Sequence, residues 1–215
     1  MPLITLIINQ LTQPELSGLV KVGTPEDYTT RFLPEILAGF SRIYPNVQVE
    51  VSVLSSHNLI HLIKNEKLDL ALTSTSEPTF QDSLLLRHEP SVWVVSPNHD
   101  IEEVRPIPLA LFPTHDCLFR IWAVRELEKA GIDYRIAYTS ESILGHIAAV
   151  SAGLAIAVMS ESIVPKNLKI IAENTIFPKL PHSDIYLRKN QSANNPAIDL
   201  LADRIVKAFQ NIRPD

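Results

Sequence analysis

The sequence predicts an α/β protein made of two similar lobes joined by two extended crossings, which is the architecture of a clamshell. A β-α-β-α-β pattern occurs twice, over residues 18–73 and again over residues 109–159. A further strand and a helix follow the second pattern, and we expect them to return to the first lobe and complete a two-stranded hinge. Each lobe is expected to hold a mostly parallel sheet with flanking helices.

The first unit begins with an alternating segment that ends in a glycine, Gly18–Gly23, and residues 24–27 then form a helix start. Proline is common in the first turn of a helix, and the two acids there interact favourably with the positive end of the helix dipole. Apolar side chains at helical spacing from Tyr28 to Phe40 predict one continuous helix. The same reasoning predicts a strand at Val47–Val53, a helix from Ser55 and a buried strand at Asp69–Thr73.

An extended stretch from Leu84 to Ser96 joins the two units. Pro90 interrupts it, and because proline lacks an N–H for a central sheet ladder, we expect this stretch to cross between the lobes. The second unit is predicted as strand 109–112, helix 118–130, strand 134–138, a helix to 152 and strand 154–159. Its residues 138–144 align with residues 54–60 of the first unit, which suggests a degenerate internal duplication with a period of about 90 residues.

The tail supplies predicted strands near 168–172 and 184–187 and an amphipathic helix that carries Leu201, Ile205 and Phe209 on its apolar face. Trp93 and Trp122 are expected in the core or at an interface. We therefore divide the chain into a linker remnant at 1–15, a first lobe at 16–90, a second lobe at 91–165, and a segment at 166–215 that returns through the hinge to the first lobe.

Composition and charge exclude several classes of protein. The 215 residues are 46% apolar and 20% charged, which indicates a globular protein with a core rather than a disordered one. The longest apolar run, Gly153–Met159, is too short to cross a bilayer. A net charge of −5 without a Lys or Arg cluster argues against nucleic-acid binding by this chain itself. One cysteine forms no internal disulfide and fits a reducing compartment, so we expect a cytoplasmic protein.

Four turns at the carboxyl ends of predicted strands are the candidate binding site. Ligands of open α/β sheets bind there, because loops and helix N-termini offer free N–H groups, and in a clamshell all four turns face the cleft. The residues expected to contact one small molecule are Thr24, Glu26, Asp27, Ser55, Ser56, His57, Thr73, Thr114, His115, Cys117, Arg120, Thr139, Ser140 and Ser142.

Simpler roles are open for several of these residues. Serine and threonine at helix starts are also ordinary N-caps. The acids Glu26, Asp27 and Glu141 already stabilise the helix dipoles and would repel an anion, so a polyanionic ligand is disfavoured unless Arg120 or His115 offsets them.

Other chemistry-bearing residues give weak signals. His57 and His61 stand at i and i+4, a spacing that can hold a metal, but no Cys or acid partner is near them in sequence, and a solvated helix face is the alternative. Cys117 has either a lowered thiol pKa beside His115 and a redox role, or a role as pocket lining. Arg120 either reaches a ligand or pairs with Asp116. Motifs of hydrolases, phosphate-binding loops and zinc proteases are absent, so we expect no enzyme activity, no metal and no other cofactor.

Four segments, in this order, carry a resemblance to a known family: Leu16–Gly23, Phe40–Val49, Leu68–Leu72 and Val150–Ala157. They resemble the effector-binding domain of LysR-type transcriptional regulators, and the likeness spans residues 16–209. The resemblance implies a type 2 periplasmic-binding-protein-like clamshell with an effector pocket between the lobes. It also implies an antiparallel homodimer through residues 28–53 and 118–138 and a tetramer of the full-length protein. The family's N-terminal winged helix-turn-helix is expected to lie outside this sequence, so DNA would be bound only through that part.

Three functions are compared. The leading hypothesis is a regulatory domain whose small-molecule effector shifts lobe closure and thereby dimer geometry. A solute-binding protein of a transport system needs the same clamshell and is the alternative; it predicts a monomer and an export signal. An enzyme on this fold needs a charged catalytic pair in the cleft, where the sequence offers only scattered acids.

Overall fold

Alternating and helical apolar patterns produce a five-stranded sheet in one lobe and two small sheets, joined by one bridge, in the other, all flanked by helices. The computed structural model describes residues 16–75, 83–172 and 176–211. The strands are β1 (Gly18–Thr24), β2 (Val47–Val53), β3 (Leu70–Thr75), β4 (Ser83–Glu89), β5 (Ser91–Val95), β6 (Ile107–Leu111), β7 (Tyr134–Thr139), β8 (Ala157–Ser160), β9 (Lys169–Ile170) and β10 (Ser183–Lys189). The helices are α1 (Glu26–Arg31), α2 (Leu33–Ser41), α3 (Ser56–Lys64), α4 (Leu118–Lys129), α5 (Ile143–Ser151) and α6 (Pro196–Asn211).

The first lobe is a five-stranded sheet with the strand order β2-β1-β3-β10-β4. β1 is parallel to β2 and β3, whereas β10 is antiparallel to β3 and β4. The sheet is therefore mixed rather than mostly parallel, because β10 enters it from the opposite lobe and runs against its neighbours.

The second lobe repeats the central part of this topology. β6 is parallel to β7, and a parallel bridge from Leu109 to Ile156 brings the segment before β8 to the other side of β6. The order β7-β6-β8 thus matches β2-β1-β3, as a duplication of the β-α-β-α-β unit requires. β5 pairs antiparallel with both β8 and β9, so this lobe is mixed as well.

Apolar faces of the helices pack on both sides of the first sheet. Tyr28, Ile36 and Phe209 belong to the core that α1, α2 and α6 form on one face. On the other face, Leu59 of α3 packs with Leu68 and Ala71. The second lobe has a core that includes both tryptophans, which are 4% and 2% exposed. Their predicted place in the core is confirmed.

The helix predicted from Tyr28 to Phe40 is divided into α1 and α2 at Phe32. Pro34 lies in the first turn of α2 and has no N–H to donate to the carbonyl four residues earlier. A continuous helix would lose that hydrogen bond, so the chain restarts the helix instead.

The hinge differs from the prediction in its second crossing. Pro90 separates β4 from β5, as expected. The return to the first lobe comes later than residue 166, because β9 still pairs with β5 and Phe177 and Leu180 still pack in the second-lobe core. The Trp93 indole N–H also donates to the Pro178 carbonyl at 2.8 Å. The chain re-enters the first sheet only at β10.

The core of the second lobe supports a direct stability test. Replacing Leu127, which is fully buried, with alanine leaves a cavity and should lower the free energy of unfolding by about 2 to 5 kcal/mol. Leu154→Ala removes the same atoms from a side chain that is 55% exposed and should change that energy by about 0.5 kcal/mol or less. Chemical denaturation measures both. Equal losses in the two variants would contradict this packing.

Candidate functional site

The four predicted turns follow the carboxyl ends of β1, β2, β6 and β7, and the structure brings them together. Each turn leads into the N-terminus of a helix, α1, α3, α4 or α5. The first turn contacts the fourth through Glu26 and Ser142, and the second turn meets the third through His57 and Asp116. The turns of opposite lobes therefore form the two walls of one cleft.

Glu26 makes the shortest of these contacts between the lobes. Its Oε1 accepts a hydrogen bond from the Ser142 hydroxyl at 2.9 Å, and its Oε2 accepts one from the Ile143 N–H at 2.7 Å. Ser142 is the N-cap of α5, and its hydroxyl oxygen also accepts from the Leu144 N–H at 3.2 Å. A carboxylate from one lobe thus occupies the positive end of a helix in the other.

A weaker contact joins the second and third turns. His57 Nδ1 lies 3.7 Å from a carboxylate oxygen of Asp116, and the two side chains are 74% and 57% exposed. An exposed pair of this kind contributes about 1 kcal/mol or less. Arg120 does not pair with Asp116; it donates to the Phe112 carbonyl at 2.8 Å.

Asp27 and Tyr28 place buried polar groups at the base of the cleft. The pKa of Asp27 is raised from 3.8 to about 7, mainly by burial. The negative charges of Glu89 and Glu26 contribute to this rise, and hydrogen bonds from nearby backbone N–H groups oppose it. Burial also raises the pKa of Tyr28, whose hydroxyl pairs with the Ser74 hydroxyl at 2.7 Å. At neutral pH, Asp27 is close to half protonated.

The hydroxyls of the first lobe have internal partners. Ser55 caps α3 by accepting from the Asn58 N–H at 3.4 Å, and Ser56 accepts from the Ser74 N–H at 2.9 Å. Thr24 is fully buried and donates to the Pro25 carbonyl at 3.2 Å.

Thr73 does not join this group, because it points to the face of the sheet opposite Ser74. Its hydroxyl accepts from Arg188 Nε at 3.0 Å. Ser74, one residue further along β3, takes the place predicted for Thr73 and links Ser56 to Tyr28. Because side chains alternate along a strand, the sequence indicates that Thr73 and Ser74 face opposite sides of the sheet. Only the register of strand pairing decides which of the two faces the cleft.

In the second lobe, Thr114, His115 and Thr139 are exposed at the rim of the cleft. Ser140 accepts from the Ser142 N–H at 3.1 Å. Cys117 is half-buried at the N-cap of α4, and burial raises the pKa of its thiol. The lowered pKa considered for Cys117 is therefore wrong, and its pocket-lining alternative stays a prediction.

His146 is a cleft-side residue that the sequence did not indicate. It is 1% exposed, its Nε2 lies 3.1 Å from the Ser140 carbonyl, and its ring centroid is 4.2 Å from that of Phe112. Burial lowers the pKa of His146, so the ring is neutral at physiological pH. With Phe119 and Arg120 it lines a small pocket on the second lobe. In the sequence, the position of His146 one helical turn after Ser142 could have indicated that it lies near the cleft.

His61 does not share a partner with His57. Its Nε2 lies 3.0 Å from the Asn65 side-chain nitrogen, within the same helix. In the described ranges, no group of three His, Cys, Asp or Glu side chains is arranged to hold a metal ion. No helix of those ranges is long and apolar enough to cross a membrane.

The raised pKa of Asp27 gives a pH dependence with a defined sign. The folded chain keeps this proton up to about pH 7, whereas the unfolded chain releases it near pH 3.8. The native state therefore binds more protons in that window, and stability falls as the pH rises from about 4 to 7. Asp27→Asn removes this slope. The free energy of unfolding of Asp27→Asn minus that of wild type should therefore increase by about 2 to 4 kcal/mol from pH 4 to pH 8.

Denaturation curves at a series of pH values measure this difference. Asp203→Asn makes the same change at an exposed position of α6 and should leave the pH profile unchanged. A difference between wild type and Asp27→Asn that is the same at pH 4 and pH 8 would contradict the predicted titration.

Similar proteins agree on one family. Residues 13–210 match the family described as LysR substrate binding domain. The HTH-type transcriptional regulator DgdR of Burkholderia cepacia is 36% identical over 173 residues, which cover 80% of this chain and 58% of that protein. The regulator PecT of Dickeya dadantii (strain 3937) is 28% identical over 185 residues, covering 86% and 58%. The chain thus spans a little over half the length of these curated relatives.

Solved structures show the same fold. The effector binding domain of QuiR in complex with shikimate has a TM-score of 0.70 and 22% identity, covering 90% of this chain and 98% of that one. The CcmR regulatory domain of Synechocystis PCC6803 in complex with 2-PG has a TM-score of 0.74 and 16% identity, covering 91% and 99%. These comparisons confirm the predicted type 2 periplasmic-binding-protein-like fold and give no support to the transport alternative.

Two duplicated lobes enclose a cleft lined by strand ends and helix N-termini, and nearly the whole chain matches one family description. This chain therefore belongs to the LysR substrate-binding domain family.

Proposed function

We propose that this chain senses a small molecule in the cleft between its lobes and passes that signal on as part of a transcriptional regulator. The observation that carries the proposal is the meeting of four helix-starting turns, shown by the contacts of Glu26 with Ser142 and of His57 with Asp116. Hydroxyls and backbone donors from both lobes converge there, which suits a ligand that closes one lobe on the other.

The ligand contacts are proposed to come from both walls of the cleft. First-lobe contacts would come from the turns that carry Thr24 and His57, and second-lobe contacts from those that carry Thr114 and Ser140. Thr73 is not included, because it is fully buried on the face of the sheet opposite Ser74. The remaining candidates are Glu26, Asp27, Ser55, Ser56, His115, Cys117, Arg120, Thr139 and Ser142.

The response is proposed to reach DNA through a separate part of the regulator. The chain spans 58% of DgdR and of PecT, both HTH-type regulators, and full-length CbnR has been solved with its target DNA. A change of lobe closure would alter the geometry of a dimer, and paired DNA-binding domains would read that change. A role of this kind takes place in the cytoplasm and needs neither catalysis nor a cofactor.

Two exposed apolar surfaces suit the proposed dimer. β2 and β7 each form the edge of their sheet, and each carries an exposed apolar side chain, Val53 at 45% and Ile136 at 47%. Ile43 and Ile121 are exposed nearby in sequence. In a twofold dimer, residues 28–53 of one protomer would pack on residues 118–138 of its partner and bury both patches. Two such dimers would form the tetramer of the full-length protein.

A ligand screen tests the sensing function. Thermal unfolding in the presence of amino acids, hydroxy acids and dicarboxylates, shikimate included, should reveal a specific rise in Tm, because a ligand that binds only the folded state stabilises it. Thr139→Trp places an indole at the cleft rim and should remove the rise. Asn167→Trp places the same group at an exposed turn of the second lobe and should keep it. A ligand whose effect survives Thr139→Trp unchanged would bind elsewhere.

A charge placed in the proposed dimer surface tests assembly. Ile136→Glu should convert the dimer to a monomer in size-exclusion chromatography with light scattering, because it buries an unpaired charge in the interface. Ile170→Glu introduces the same charge on another exposed strand of the second lobe, 37% exposed, and should remain dimeric. A wild-type protein that is monomeric at all concentrations would refute the proposed dimer.

A further inference from the structure

The N-terminus of α5 holds an anion that the chain itself provides. Ile143 is the first residue of this helix, and first-turn N–H groups have no acceptor inside their own helix. The Ile143 N–H and the Ser142 hydroxyl both donate to Glu26, one to each carboxylate oxygen. Glu26 reaches them across the cleft from α1, from a position 117 residues earlier in sequence. The contact therefore joins the lobes as well as capping the helix.

We propose that Glu26 is an internal ligand that latches the cleft shut, and that the effector replaces it with a carboxylate of its own. This inference rests on the proposed function and names the chemistry of its ligand. While the lobes are in contact, the Glu26 carboxylate occupies both the Ser142 hydroxyl and the Ile143 N–H. Parting of the lobes would remove the Glu26 carboxylate from α5 and leave both donors open to a ligand.

The two donors on α5 fit a carboxylate. They take up both oxygens of one carboxyl group, which is the arrangement that a small carboxylic acid would reproduce. An effector carboxylate and Glu26 cannot occupy these donors together, so the two compete for the same site. The effector, instead of Glu26, would then hold the two lobes together.

The charges around the latch indicate a second group on the effector. The released Glu26 carboxylate would stay close to Asp27, whose pKa already responds to the charges of Glu26 and Glu89. Arg87, a basic side chain near these acids, is already paired with Glu89 at 2.7 Å. A bare anion would add to this negative charge, whereas an ammonium group would offset it. The effector is accordingly a zwitterion of the amino-acid class.

Hydrogen exchange tests the latch without any ligand. The Ile143 amide should exchange at least tenfold faster in Glu26→Ala than in wild type, and Glu26→Gln should lie between them because its amide keeps one acceptor. Glu141→Gln removes the same charge from an exposed position beside α5 and should leave the rate unchanged. The Val150 amide, deeper in the helix, reports that α5 remains folded. An unchanged Ile143 rate in Glu26→Ala, with Val150 protected, would overturn the latch.

Titration with free amino acids tests the competition. The amino acids that raise the Tm of wild type should bind Glu26→Gln at least fivefold more tightly than wild type. Their carboxamide analogues should bind neither protein. Equal affinity for wild type and Glu26→Gln, or equal binding of a carboxamide, would overturn the competition while leaving the sensing function intact. Failure of all twenty amino acids to bind either protein would overturn the ligand class. A dimer that responds to no compound would instead count against the proposed function.

Discussion

The double crossing between the lobes is the constraint on which the rest of the structure depends. Because the chain crosses at Pro90 and returns at β10, the duplicated units present the carboxyl ends of their strands to the same cleft. Glu89 lies at this point and is fully buried, a costly position for a charge. Its carboxylate is paired with Arg87 and accepts a hydrogen bond from the Ser162 N–H of the second lobe at 2.8 Å. This buried side chain therefore also links the two lobes at the hinge.

Cap and binding roles are not exclusive in this cleft. Ser55, Ser56, Ser140 and Ser142 each accept a backbone N–H, as N-caps and turn residues do. A hydroxyl that accepts such a bond still has its own hydrogen to donate, and Ser142 gives that hydrogen to Glu26. The same residues therefore stabilise the helix starts and turns and still have a hydrogen to donate.

Negative side chains and helix N-termini lie side by side in the cleft. Helix N-termini attract negative charge, yet the first lobe places Glu26, Asp27 and Glu89 beside them. Part of this charge is neutralised by protonation of Asp27, and part by the α5 donors that Glu26 occupies. In the second lobe, Arg120 donates to the Phe112 carbonyl. The proposed ligand, which carries a carboxylate and an ammonium group, would match both signs of charge.

Local patterns in the sequence determined both β-α-β-α-β units, the crossing at Pro90 and the four turns, because apolar periodicity and helix starts depend on neighbouring residues only. The break at Phe32 was also local, and Pro34 could have predicted it. Tertiary structure alone decided which side chains meet. Glu26 contacts Ser142 of the other lobe, and Ser74 takes the cleft-facing place predicted for Thr73. The chain returns to the first lobe only after residue 166. These choices depend on strand register and on packing between segments far apart in sequence, and one chain's local pattern encodes neither.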